Sequence, residues 1–97
     1  MKFEGVVSAK RDYEGELTHL KVHPVREGQA LPPEARTRDE VIQDIQARDY
    51  VYYTGEPNEH GLKLIARLRV VVTKTGTALR TDQEQRDEDS LPELPKF

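Results

Sequence analysis

The sequence predicts an α+β fold of order ββαβββ, a single mainly antiparallel sheet with one short helix packed on one face. Three observations carry this prediction. In residues 62–73, Leu62, Leu64, Ala66, Leu68, Val70 and Val72 hold the even positions while Lys63, Arg67 and Arg69 hold odd ones, and a period of two belongs to a strand. With one apolar and one cationic side, such a strand suits an antiparallel sheet that is covered on one face and open on the other. Residues 3–10 and 16–23 are two further strand-like runs, joined by a short turn that ends in Gly15. Thr37-Arg38-Asp39-Glu40 has the spacing of a capping box and announces a helix.

In chain order, the first strand spans residues 3–10. The second spans residues 16–23, where Thr18, Leu20 and Val22 alternate with Leu17, His19, Lys21 and His23. Gly15 tolerates a positive φ, so the two strands pair as a hairpin. Pro24, Gly28, Pro32 and Pro33 then punctuate a surface loop of about a dozen residues, too rich in proline for a helix or an inner strand. The helix after Thr37 has an apolar stripe of Val41, Ile42 and Ile45 that runs out near Arg48 and Asp49, leaving Gln43, Asp44 and Gln46 in water. Residues 50–54, dense in Tyr, Val and Thr, form a third strand that is closed by the turn residues 55–61. The long strand at 62–73 follows, with Leu62, Leu64, Ala66, Leu68 and Val70 expected to face Val41, Ile42 and Ile45. Lys74-Thr75-Gly76-Thr77 turns the chain, and residues 78–81 pair as a short last strand.

Ninety-seven residues suffice for one hydrophobic core, placed here in residues 1–81. The absence of cysteine excludes disulfide scaffolds, thiolate zinc sites and cysteine nucleophiles, and fits a reducing cytoplasm. No apolar run approaches the roughly 20 residues of a membrane-spanning helix, and the first residues lack a signal-peptide pattern. A soluble, cytoplasmic protein without membrane contact is expected. Residues 1–81 hold thirteen Lys and Arg against twelve Asp and Glu, a balance of +1. Residues 82–97 hold two against six, a balance of −4 that completes the net charge of −3. Such an acidic tail is either a solvated segment or a screen folded over the cationic strand face.

Thr37 followed by Glu40-Val41-Ile42, Ile45 and Asp49-Tyr50-Val51-Tyr52-Tyr53-Thr54 resembles the helix-to-strand stretch of the small bacterial family known as domain of unknown function 3892. The ending is similar too. Leu79-Arg80-Thr81-Asp82 matches that family's Leu-Arg-Thr ending, and Asp89-Ser90-Leu91-Pro92-Glu93-Leu94-Pro95 its Asp-Asn-Leu and Leu-Pro segment, with Ser90 in place of Asn. The resemblance covers most of the chain. It implies a bacterial or phage source and a compact stand-alone or accessory domain, and it transfers no activity, cofactor or catalytic residue. It also implies that the acidic tail, residues 82–97, is partly docked through Leu91 and Leu94, with only residues 83–88 loose.

No motif in the chain announces catalysis. Ser8 and Ser90 lack a nucleophile elbow, the glycines form no phosphate-cradling run, and Asp12, Glu14 and Glu16 cluster where a turn explains them. His19 and His23 lie four apart on a strand, roughly 13 Å by strand rise, too far to share a metal, and His60 sits in a turn. No metal or cofactor is implied, and the chain leans away from being an enzyme. The candidate binding residues are Lys63, Arg67 and Arg69 on the long strand, with Arg80 and Tyr52 aligned beside them. Tyrosine and arginine favour the centres of protein interfaces, which points to a non-enzymatic protein-interaction or oligomerisation module. The alternative is nucleic-acid binding through the cationic face, against which stands the body balance of only +1.

Overall fold

In the computed structural model, which describes residues 1–74, 76–82 and 88–97, β1 (Lys2–Arg11) and β2 (Leu17–Arg26) form an antiparallel hairpin. Asp12 builds its turn. The Asp12 Oδ1 accepts from the backbone N–H groups of Glu14 and Glu16, and Gly15 takes a φ of 85°.

The second strand does not stop at Pro24. It runs on to Arg26, and its outer side is covered by β3 (Gln29–Ala30) and β4 (Glu34–Thr37), where the prolines had suggested only a loop. β4 pairs with residues 19–22 and β3 with Val25 and Arg26. Pro24 therefore falls in the gap between the two partners, where its missing N–H breaks no ladder bond. Its carbonyl accepts from the Leu31 N–H at 2.7 Å.

The capping box opens α1 (Arg38–Gln46), with Thr37 Oγ1 accepting from the Glu40 N–H at 3.1 Å and Glu40 Oε1 accepting from the Thr37 N–H at 3.2 Å. Val41 and Ile42 are buried, and Ile45 packs partly on the same cluster. β4, α1 and β5 (Tyr50–Asn58) together form a crossover. β4 and β1 are both antiparallel to β2, and β5 enters at the same end as β1, so Lys2 lies opposite Tyr50 and Val6 opposite Thr54 in a parallel pair. The large sheet, ordered β3-β2-β1-β5-β6 with β4 also beside β2, is therefore mixed and curled, and not purely antiparallel.

The strand expected over residues 62–73 is two strands in two sheets. β6 (Gly61–Arg67) ends the large sheet, whereas β7 (Arg69–Thr73) pairs with β8 (Gly76–Arg80). Leu68 is the corner, its N–H still donating to the Tyr52 carbonyl at 2.8 Å while its side chain enters the core. A bulge lies just before it. Between the pairs Gly55–Leu64 and Tyr53–Arg67, β6 advances three residues while β5 advances two, and the Ala66 N–H turns to Thr54 Oγ1 at 3.1 Å. An extra residue in a strand inverts the faces that follow it. Leu62 and Leu64 consequently lie over Gly5, on the sheet face opposite Val6 and α1, and only Leu68 and Val70 of the five expected residues join the cluster with Val41, Ile42 and Ile45. Gly5 permits this close approach because a Cβ there would collide with Leu62.

The hairpin supplies Val6, Ala9, Leu17, Leu20 and Val22 to the core, which Tyr52, Leu68 and Leu79 complete. β5 stops pairing with β1 at Val6, and beyond it the C-terminal segment takes over the edge: the Ala9 N–H donates to the Pro95 carbonyl at 2.9 Å. The same segment joins β8, with the Ser90 N–H donating to the Leu79 carbonyl at 3.0 Å and the Thr81 N–H to the Ser90 carbonyl at 3.1 Å. Leu91 and Leu94 pack partly buried against the core. Thr75 of the last turn, and residues 83–87 of the stretch expected to be loose, lie outside the described residues. Among the described residues, no helix is long and apolar enough to cross a membrane.

Candidate functional site

Lys63, Arg67 and Arg69 are exposed, but they do not share one face. Lys63 pairs across the strands with Glu56, and Arg67 with Tyr53. Those partners stand three positions apart on β5, so the bulge sends the two cations to opposite sides of β6. Arg69 lies beyond the Leu68 corner, opposite Arg80 in the second sheet. None of the three forms an ion pair among the described residues.

Arg80 and Tyr52 do not join an open surface. Arg80 is only 3% exposed, with its Nε 2.7 Å from Asp82 Oδ1, its Nη2 3.0 Å from Asp82 Oδ2 and its Nη1 2.7 Å from the Glu88 carbonyl. Its place in a strand whose outer side is covered by the C-terminal segment, invisible in a count of charges, explains the difference. Tyr52 is fully buried under α1, because its even position on β5 faces the helix rather than solvent.

Around Tyr52 the structure builds a polar network that the sequence did not announce. The Tyr52 hydroxyl donates to Asp44 Oδ2 at 2.6 Å and accepts from Arg36 Nη1 at 2.6 Å. Arg36 also pairs with Glu34 and lies 3.2 Å from Glu4 Oε1, an oxygen that Arg26 approaches to 2.9 Å. Glu4 is fully buried, and these two guanidinium groups compensate its charge. Burial raises the Tyr52 pKa well above the usual phenol value, the bond to Asp44 raises it further, and Arg36 only partly opposes. Burial works to lower the pKa of Arg36, but its bonds to Glu34 and Tyr52 and its nearness to Glu4 raise it more. A phenol held neutral and an arginine held charged lock the sheet to the helix; neither is poised to give or take a proton near neutral pH.

A second link ties the start of α1 to β8 and the C-terminal segment. Arg38 donates from Nε to Asp89 Oδ2 at 2.6 Å, from Nη2 to Asp89 Oδ1 at 2.8 Å and from Nη2 to the Thr77 carbonyl at 2.9 Å. Asp89 Oδ1 also accepts the Leu79 N–H at 2.7 Å. The bond to Asp89 is the largest cause of a raised Arg38 pKa. Two of the tail's acids, Asp82 and Asp89, are thus paired with Arg80 and Arg38 rather than with the exposed cations of β6 and β7.

Between the C-terminal end of α1, β5 and the end of β6 lies a cleft of about 260 Å³, lined by Ile45, Arg48, Tyr50, Val51, Arg67 and Leu68, together with Met1 and Tyr52. The Tyr50 and Tyr52 rings stack with centroids 6.2 Å apart, and Lys2 Nζ lies 5.4 Å from the Tyr50 centroid. The histidines are engaged locally: His23 Nδ1 donates to the Leu31 carbonyl at 2.8 Å, and His19 Nδ1 lies 3.1 Å from Thr18 Oγ1. Among the described residues, no group of three His, Asp or Glu could hold a metal ion. Sequence reasoning missed Arg36, Arg38 and Arg48 as site residues. The signal for Arg36 and Arg38 was their spacing around the Thr37 cap, and for Arg48 its position just past the end of the apolar stripe. No family model matches the chain, and neither a curated protein nor a solved structure matches it.

Proposed function

We propose that this chain is a non-enzymatic protein-interaction module of the bacterial cytoplasm that binds an extended, acidic segment of another protein by strand addition along β6. The observation that carries the proposal is the state of that edge. β6 is the last strand of the large sheet and no strand pairs with its outer side among the described residues; the curl brings β3 near its Gly61–Leu64 end, while the later part presents Ile65, 56% exposed, between Lys63 and Arg67. An unpaired edge offers a row of backbone donors and acceptors to an incoming strand, while side chains to either side choose the sequence. Cations on both sides of the edge select acidic partners. The resemblance to domain of unknown function 3892 belongs to the same proposal; a small accessory domain of this kind suits an adaptor.

Nucleic-acid binding draws less support, since Arg80 and Tyr52 are withdrawn from the surface and the remaining three cations are divided between two faces and two sheets. The test is fluorescence anisotropy with three labelled probes: a peptide of alternating Glu and Val, its Lys-Val counterpart, and single-stranded DNA. Binding of the Glu-Val peptide at least about tenfold tighter than the Lys-Val peptide, and its loss in an Ile65→Lys, Arg67→Glu variant, is expected. Preference for DNA, with the steep salt dependence of phosphate contacts, would replace the proposal with its alternative. Equal binding of both peptides, or binding of neither, would overturn it.

A further inference from the structure

We propose that the cleft between the end of α1 and the β5–β6 edge binds the carboxylate of a small acid with an aromatic or branched apolar body. The inference stands on the cleft alone and does not depend on strand addition. Its lining holds two arginines and no carboxylate, in a chain that has eighteen acidic residues to fifteen Lys and Arg. Arg48 and Arg67 come to this cleft from separate elements, and neither forms an ion pair among the described residues. Asp44 of the helix is engaged by the Tyr52 hydroxyl, and Asp49, between Arg48 and Tyr50 in the chain, is exposed and outside the lining. Two like charges lining one cleft repel each other, and an anion bound in the cleft relieves the repulsion and can accept from either.

Arg48 is also placed there against local preference. Its φ is 63°, in the left-handed region where the residue after a helix is most often glycine. A non-glycine residue held in that conformation next to a cleft is the kind of strain that accumulates at ligand sites. The helix end beside the cleft is the C-terminal one, whose partial negative charge opposes a phosphate dianion more strongly than a carboxylate, so a single negative charge is the better match to the two arginines. Ile45, Val51 and Leu68 supply apolar walls and Tyr50 an aromatic surface, and a volume of about 260 Å³ admits a ligand of the size of one ring with its acid group.

The test uses benzoate as the probe, with benzamide and benzyl alcohol as neutral counterparts, followed by amide chemical-shift changes in the full chain. Benzoate is expected to shift the resonances of Arg48, Tyr50, Arg67 and Leu68, with the neutral compounds at least about tenfold weaker. Arg48→Gly separates binding from folding. Glycine relieves the left-handed strain, so the melting temperature should hold or rise while benzoate affinity falls about tenfold or more. Arg67→Gln should weaken benzoate similarly. Benzamide binding as tightly as benzoate, shifts confined to other surfaces, absence of any shift at 50 mM benzoate, or undiminished affinity in Arg48→Gly would each overturn the proposal.

Discussion

Replacing Asp89 with alanine probes how the C-terminal segment is held. The Asp89 carboxylate accepts three hydrogen bonds, two from Arg38 and one from the Leu79 N–H, and its side chain is only 13% exposed. Truncation leaves the Leu79 amide, in a fully buried residue, without its partner, which costs about 1 to 3 kcal/mol. The ion pair adds less than a buried one would. Arg38 is a quarter exposed and keeps its bond to Thr77, so water compensates much of its charge, and about 1 kcal/mol is assigned to that part. The expected total is about 2 to 4 kcal/mol, read from urea denaturation at constant slope. Asp89→Asn separates the two contributions, because its side-chain oxygen still accepts from Leu79 while the charge is gone; a loss of about 1 kcal/mol is expected. Combined with Arg38→Met, Asp89→Asn should then show little further loss, the mark of a shared interaction. A loss under about 0.5 kcal/mol for Asp89→Ala, or equal losses for Ala and Asn, would refute the assignment of the Leu79 amide as the main consequence.

Other expectations concern the core and the buried phenol. Gly5→Ala should destabilise by about 1 to 3 kcal/mol through collision with Leu62, and Leu62→Ala should relieve part of that in the double variant; strictly additive losses would place Leu62 elsewhere. Leu68→Ala, at 1% exposure, should cost about 2 to 5 kcal/mol and exceed the half-buried Leu64→Ala, an order that a single continuous strand with both leucines against α1 would not give. The raised pKa of Tyr52 makes its contribution to stability complete below about pH 10, the ordinary phenol value, and lost as pH climbs toward the folded-state value, because the unfolded phenol ionises first. In an alkaline titration followed at 295 nm, one of the four tyrosines should ionise only as the protein unfolds, and Tyr52→Phe should remove that late step; a wild-type protein that ionises all four while folded would contradict the burial.

The local signals in the sequence were legible where one residue determines one bond. The capping box at Thr37 and Glu40, the turn at Asp12 and Gly15, and the alternation of exposed and buried residues from Leu62 to Val70 can all be read without tertiary information. What could not be read depended on what lies beside a strand. Pro24 argues for a loop only if its N–H is needed, and that depends on the gap between β3 and β4. Without β4, the helix looks like a link in an antiparallel meander, so the parallel pairing of β1 with β5 was hidden. The corner at Leu68 and the bulge before it leave burial alternating and so give no sign in a pattern of period two, yet they redirect Lys63, Arg67 and Arg69 away from one another. Arg80 and Tyr52 carry the residue types of an interface, but register and the covering C-terminal segment bury them. The exposure of Lys63, Arg67 and Arg69 followed from their odd positions; the cleft shared by Arg48 and Arg67 joins residues from separate elements and has no signature in the chain.

Strand addition differs from simple charge attraction in what it does to the backbone of β6. Hydrogen–deuterium exchange of residues 61–73, measured with and without a saturating Glu-Val peptide, therefore tests the central claim most directly. Added main-chain hydrogen bonds should slow exchange at alternate amides of residues 63–67, those pointing away from β5, by about tenfold or more, while the inner amides already bonded to β5 change little. Unchanged exchange at the outer amides of a peptide-saturated protein, or protection confined to β1 and β2, would contradict it.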